Sequence, residues 1–147
     1  MALAQILALV AAIGSGLIGG IFLIFSTTIV ASLEQLPIEQ TVAGMQAINR
    51  VIQRPIFLLV FVGTALVSVA VVVTTPAAPL AWIGAVLYVL ATFGLTMVVN
   101  VPLNNALDRA RGGGAEAWRA FRPRWMVANH VRTVASIGAA VAFTLLG

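Results

Sequence analysis

The sequence predicts an all-α integral membrane protein: a four-helix bundle with one short amphipathic helix at the interface. Three observations carry this. Hydrophobic residues make up 61% of the 147 and charged residues only 8%, with a mean hydropathy of +1.09, too little polar surface to cover a soluble domain of this length. Apolar runs long enough to span a bilayer recur along the chain. The charges collect in two of the segments between those runs.

Helix one is expected within residues 3–33. Its start, Met1-Ala2-Leu3-Ala4-Gln5-Ile6, has no positive region, and its uncharged run outlasts the apolar core of a cleaved leader, so it reads as a retained helix. Residues 55–107 carry no charge, but Thr74-Thr75-Pro76-Ala77-Ala78-Pro79 interrupts them, because paired prolines remove amide donors and push preceding residues out of helical geometry. Helix two is therefore placed at about 55–73, with Pro55 suited to a first turn, and helix three at about 80–100. Helix four covers about 125–146. Residues 1–147 form one membrane domain with two long loops, 34–54 and 101–124.

All eight basic residues are arginines. Arg50 and Arg54 fall in the first long loop, and Arg109, Arg111, Arg119, Arg122 and Arg124 in the second. The positive-inside rule makes both loops cytoplasmic and both termini external, in an inner (plasma) membrane. Arginine without lysine, beside abundant Ala and Val, fits a GC-rich bacterial genome. The pI near 11.5 reflects these topology-setting arginines, so no nucleic-acid partner is expected. The absence of cysteine excludes disulfides, thiolate nucleophiles and cysteine-ligated metals.

The loops carry pattern of their own. Val42, Met45, Ile48, Asn49 and Ile52 recur at helical spacing, with Gln46, Arg50 and Gln53 opposite, which predicts the interfacial helix and puts Asn49 on its apolar face. In the second loop Pro102 is expected to end helix three, Asn104 to cap a short turn through Arg109, and Gly112-Gly113-Gly114 to form a flexible tip. Ile48-Asn49-Arg50-Val51 and Ala128-Asn129-His130-Val131 echo one another faintly.

Polar groups converge at one end of the bundle. On helix four, Arg122, Trp125, Asn129, Arg132 and Ser136 share a face. On helix three, Tyr88, Thr92, Thr96 and Asn100 recur every four residues, with Asn104 following. Helix one adds Ser26 and Thr27, then Glu34. An arginine at a helix centre costs about 3 kcal/mol on insertion scales, so it faces the bundle interior with a partner. Arg132 lies about 10 Å into helix four counted from Trp125. A structural reading has Arg132 snorkelling or pairing with Glu34, His130 bonded to a carbonyl, and Asn49, Asn100 and Asn129 cross-linking helices. Convergence at one depth also makes a binding pocket. The small-xxx-small pair Gly16 and Gly20 reads as close helix packing, the Phe22, Phe25, Phe57 and Phe61 rings as core, and Trp118 and Trp125 as an interfacial belt.

Other chemistries recede. One histidine excludes a two-histidine haem, leaving only a pairing of His130 with Met45, Met97 or Met126. There is no glycine-rich phosphate loop, serine-histidine-acid set or paired carboxylate in the membrane region. Glu34, the one acid near a helix, lies at the membrane edge, which disfavours a proton-coupled transporter.

Four stretches in order resemble a known family: Gly20-Ile21-Phe22-Leu23-Ile24-Phe25-Ser26, Gly44-Met45-Gln46-Ala47-Ile48-Asn49-Arg50, Thr96-Met97-Val98-Val99-Asn100-Val101-Pro102-Leu103-Asn104, and Trp125 with Asn129-His130-Val131-Arg132-Thr133. Over nearly the whole chain the sequence is similar to the anthrone-oxygenase-like family of small four-helix membrane proteins. The resemblance implies oxidation of an anthrone, a tricyclic phenolic ketone, to the quinone. An anthrone ionises to an electron-rich anion that reacts with oxygen directly, so the site needs a base and an oxyanion stabiliser. His130 is the expected base, with Arg132 and Asn129 or Asn100 the oxyanion stabilisers. Asn49, Asn100, Asn104, Trp125, Tyr88 and Ser26 are expected to contact a flat hydrophobic substrate admitted from the lipid. No cofactor is expected, with haem and quinone left open, and self-association is open too. The alternatives are a non-catalytic lipid or quinone carrier and a structural subunit of a membrane complex.

Overall fold

The computed structural model describes residues 2–110 and 114–147. Arg111 and the Gly112 and Gly113 positions of the expected loop tip lie outside the described residues. The chain is all helical among the described residues, with five helices. Four are long and apolar enough to cross a membrane: α1 (Leu3–Leu33), α3 (Pro55–Thr74), α4 (Pro79–Arg109) and α5 (Gly114–Leu146). The fifth, α2 (Ile38–Val51), is the amphipathic helix expected between α1 and α3.

Each start and stop has a local cause. The Thr41 hydroxyl donates to Leu33 O at 2.6 Å, joining Leu36 N–H on a carbonyl at the end of α1 and tying α2 back onto α1. Glu39 in the first turn of α2 and Arg50 in its last turn complement the helix dipole. Pro55 and Pro79 open α3 and α4, where the missing amide costs nothing. Thr75 leaves helical geometry at φ −136° and ψ 55°, while its hydroxyl donates to Val71 O at 2.6 Å.

Two boundaries differ from expectation. α4 does not stop at residue 100 but runs through Pro102 to Arg109. Its Val86–Gly94 and Thr96–Asn100 stretches are π-helical, and such wider turns absorb a proline whose ring and missing amide would break a regular α-helix. Asn104 is consequently inside the helix rather than capping a turn. α5 begins at Gly114 rather than 125 and continues through Pro123. Trp118, Phe121 and Trp125 stack along one side of it, with centroids 5.5 Å and 5.8 Å apart, and their burial outweighs the proline.

α1 packs along α5 and α3, and α4 along α5 and α3, closing the four-helix bundle. One apolar cluster, with Ile18, Phe61, Val71, Tyr88 and Phe143, fills one end. A second, with Phe25, Met45, Leu107, Trp118, Phe121 and Trp125, fills the arginine-rich end under α2. Trp118 and Trp125 are thus core residues and not an exposed belt. Close helix approach is made elsewhere than at Gly16 and Gly20. A Cβ at Gly20 would meet nothing and at Gly16 only Ala140, whereas one at Gly14 would overlap the Thr64 side chain and one at Gly84 would lie 2.6 Å from the Phe143 ring.

Gly84→Val is therefore expected to lower stability by about 1–3 kcal/mol through overpacking, with Gly20→Val near neutral. Thermal unfolding in detergent followed by circular dichroism checks this, and equal midpoints for the two variants would contradict the packing described.

Candidate functional site

The polar groups form a layer between the two apolar clusters, and its centre is Arg132. This side chain is 3% exposed. Its guanidinium donates to Asn129 Oδ1 at 2.7 Å and Thr96 Oγ1 at 3.0 Å, and lies 4.0 Å from the centroid of Phe22 and 5.6 Å from that of Trp125. The ring faces attract the cation, but among the described residues no carboxylate pairs with it. Glu34, its expected partner, binds Arg122 at 2.8 Å instead and accepts from Trp118 Nε1 at 3.2 Å.

Asn129 holds that centre to α1. Its Nδ2 donates to Phe22 O and to Ser26 Oγ, each at 2.8 Å. The π-helical stretch Phe25–Ile29 of α1 follows directly, where the widened turn disturbs the regular ladder, as at many functional sites. The α4 side of the layer is kept in line by the same device. A strict four-residue repeat drifts round an α-helix of about 3.6 residues per turn, and the wider turns hold Tyr88, Thr92 and Asn100 buried along one inward face. Thr92 meets Ser136 at 3.0 Å, and Thr96 donates to Thr92 O at 2.7 Å.

A cavity of about 450 Å³ opens against Arg132 and Asn129, within the usual range for small-molecule sites. Phe22, Phe25, Phe57, Phe61, Phe93 and Trp125 supply ring walls, and Asn49, Gln53, Thr96, Asn104 and Asn105 supply polar groups. Trp125 is oriented by donation from Nε1 to Asn104 Oδ1 at 2.8 Å. Arg132 Nε and Asn49 Nδ2, on two residues of the lining, are buried and have no hydrogen-bond partner among the described residues. Both are donors, so two lining residues carry hydrogen-bonding capacity that the protein itself leaves unused.

Of the expected site residues, Arg132, Asn129, Asn49, Asn104 and Trp125 line this cavity, the two echoing asparagines among them. Four others do not line it. Tyr88 donates to Phe61 O at 3.1 Å, and Asn100 donates to Trp125 O at 3.4 Å, so both brace the wall from behind. Ser26 accepts from Asn129 and meets His130 Nδ1 at 2.9 Å. His130 itself is exposed on the outer face of α5, because it follows Asn129 by one position and a helix turns adjacent residues to different faces. The sequence reading did not identify Gln53, Phe93 or Asn105. Phe93 falls one position after Thr92 of the polar stripe, and it shares the cavity face with Thr96, Met97 and Val101 at i+3, i+4 and i+8.

The sequence profile of the anthrone oxygenase family matches residues 43–142, which leaves the motif at Gly20–Ser26 outside the matched span. No curated protein and no solved structure matches the chain. The matched residues carry most of α2, all of α3 and α4 and most of α5, and with them every cavity-lining group except those of α1. With more than half of its length covered, this four-helix membrane protein belongs to the anthrone oxygenase family.

Proposed function

We propose that the protein is a cofactor-independent oxygenase of flat phenolic anthrone-like substrates, working from the cytoplasmic side of an inner membrane with both chain termini external. The observation that carries this reading is the buried, carboxylate-free Arg132 guanidinium, with an unused N–H, against a ring-walled cavity. Such a charge in a low-dielectric enclosure stabilises an oxyanion far more than it does in water.

The chemistry follows from that placement. The anthrone enolises, and its phenolic form ionises against Arg132 and Asn129, releasing a proton to water at the polar rim formed by Gln53 and Asn105. The electron-rich anion passes electrons to oxygen, and a C–O bond forms at the former methylene carbon. The resulting peroxide takes up a proton. Its O–O bond then breaks as the remaining C–H proton leaves, giving the second carbonyl and one water. Anthrone and oxygen thus become anthraquinone and water, a four-electron oxidation balanced by four-electron reduction of oxygen. In this scheme the charge of Arg132 takes the place of a protein base. His130, which shares Ser26 with Asn129, acts as a positioning residue.

A second reading has its own support. The cavity lining contains no imidazole or carboxylate, which suits a non-catalytic carrier of a quinone or a related flat lipid. Ligand binding without accelerated oxygen uptake selects it.

Oxygen consumption by the purified protein with 1,8-dihydroxyanthrone, corrected for spontaneous oxidation, tests the main reading. Arg132→Leu is expected to lose about 100-fold or more of the acceleration, the scale of a lost oxyanion donor. His130→Ala is expected to stay within about threefold of the parent, far short of the 10²–10⁴ that removal of a general base costs. The reverse ranking would restore the base to His130 and overturn the scheme.

Asn129→Leu would strip Arg132, Ser26 and Phe22 O of a shared partner. It is expected to cost about 1–3 kcal/mol, whereas Glu34→Gln, in a partly exposed pair, is expected to cost less than about 1 kcal/mol. Thermal midpoints in detergent measure both, and an unaltered midpoint for Asn129→Leu would show that the network contributes nothing to folding.

A further inference from the structure

The geometry points to a lateral opening between α3 and α4 through which a ligand dissolved in the bilayer reaches the cavity, a proposal that rests on the cavity being the functional site. α3 packs against α4 along Pro79–Ala85 and Val86–Gly94, but at Thr96–Asn100 the close neighbours of α4 are α5 and its own flanking turns. The hairpin therefore splays toward the arginine-rich end. In that gap Leu58, Val62 and Met97 are 43%, 39% and 49% exposed while also lining the cavity. A side chain that borders both the interior space and the outer surface marks a mouth, and these are apolar. Val62 lies about 10 Å along α3 from Pro55 at 1.5 Å per residue, within reach of the hydrocarbon.

The opposite approach, beneath α2, is closed by polar ties. Gln46 Nε2 donates to Leu107 O at 2.8 Å, Arg50 lies 3.9 Å from Asp108, and Thr41 holds Leu33 O. The polar rim at Gln53 and Asn105 suits water and protons and not a flat arene. The two mouths thus have different chemistry. The lateral one selects a membrane-partitioning aromatic whose oxygens, once it is inside, reach the unused donors of Arg132 and Asn49.

Access is read separately from catalysis with 1-bromonaphthalene, a flat bilayer-soluble quencher that acts near contact and has no oxygen to oxidise. The protein carries Trp82→Phe and Trp118→Phe, leaving Trp125 on the cavity wall as the sole tryptophan, and is placed in phosphatidylcholine nanodiscs. Quenching of Trp125 is expected in this parent and is expected to be lost when Val62→Phe and Val101→Phe together fill the mouth. Leu66→Phe, on the outward face of α3, is expected to leave quenching unchanged. Gln46→Leu with Asp108→Asn, which loosens α2, is also expected to leave it unchanged. Three results would overturn the opening: an unquenched Trp125 in the parent, quenching that survives the filled mouth, or quenching that rises when α2 is loosened. If quenching behaves as expected but 1,8-dihydroxyanthrone is not oxidised, the opening stands and the oxygenase reading fails.

Discussion

A guanidinium buried in an apolar bundle with no carboxylate beside it is the constraint around which the rest of the structure is arranged. Burying such a charge is costly unless its donors are satisfied and its charge is spread over polarisable neighbours. Asn129, Thr96 and the faces of Phe22 and Trp125 do this for Arg132. Each of these partners is fixed in turn: Asn129 by Phe22 O and Ser26, Thr96 by Thr92 O, and Trp125 by Asn104. The π-helical stretches in α1 and α4 fall beside this layer. They reshape both helices where a regular ladder would turn the polar groups to other faces.

That arrangement leaves the charge stabilised but not saturated. Among the described residues Arg132 Nε and Asn49 Nδ2 remain without acceptors. In the proposed reading this residue of unused hydrogen-bonding capacity is the functional feature, held ready for oxygen atoms that a ligand brings. α2 matters for the same reason. Thr41, Gln46 and Arg50 fasten it over the arginine-rich end, so Asn49 is presented at a fixed depth rather than on a free amphipathic strap.

The spans and the amphipathic helix were legible in the sequence because each rests on periodicity or composition over many residues, whereas the polar residues, expected at one end of the bundle, form a layer between two apolar clusters. The convergence of Arg132, Asn129, Asn49, Asn104 and Trp125 on one cavity was legible for the same reason, since stripes at helical spacing predict a shared face. The departures are local. His130 was grouped with its neighbours by adjacency, although one step along a helix changes the face, and it does not line the cavity. Pro102 was read as an end by a rule that assumes a regular ladder, which π-helical turns relax in α4, and helix four was begun at 125 although α5 continues through Pro123 from Gly114. The pairing of Glu34 with Arg122 instead of Arg132 depends on how far α5 extends before Trp125, and that extension was hidden by reading Trp118 as a belt residue. Glycine contacts were misplaced because the approach of two helices depends on the partner surface, which the Gly16 and Gly20 spacing does not contain.

The most direct measurement is an experimental structure of the protein with 1,8-dihydroxyanthraquinone, the product of the model substrate, bound. The expected pose lays the rings among Phe22, Phe61 and Trp125, with one oxygen at about 3 Å from Arg132 Nε and another toward Asn49 Nδ2. A ligand seated on the outer face beside His130, with Arg132 untouched, would contradict the claim that the buried guanidinium forms the site.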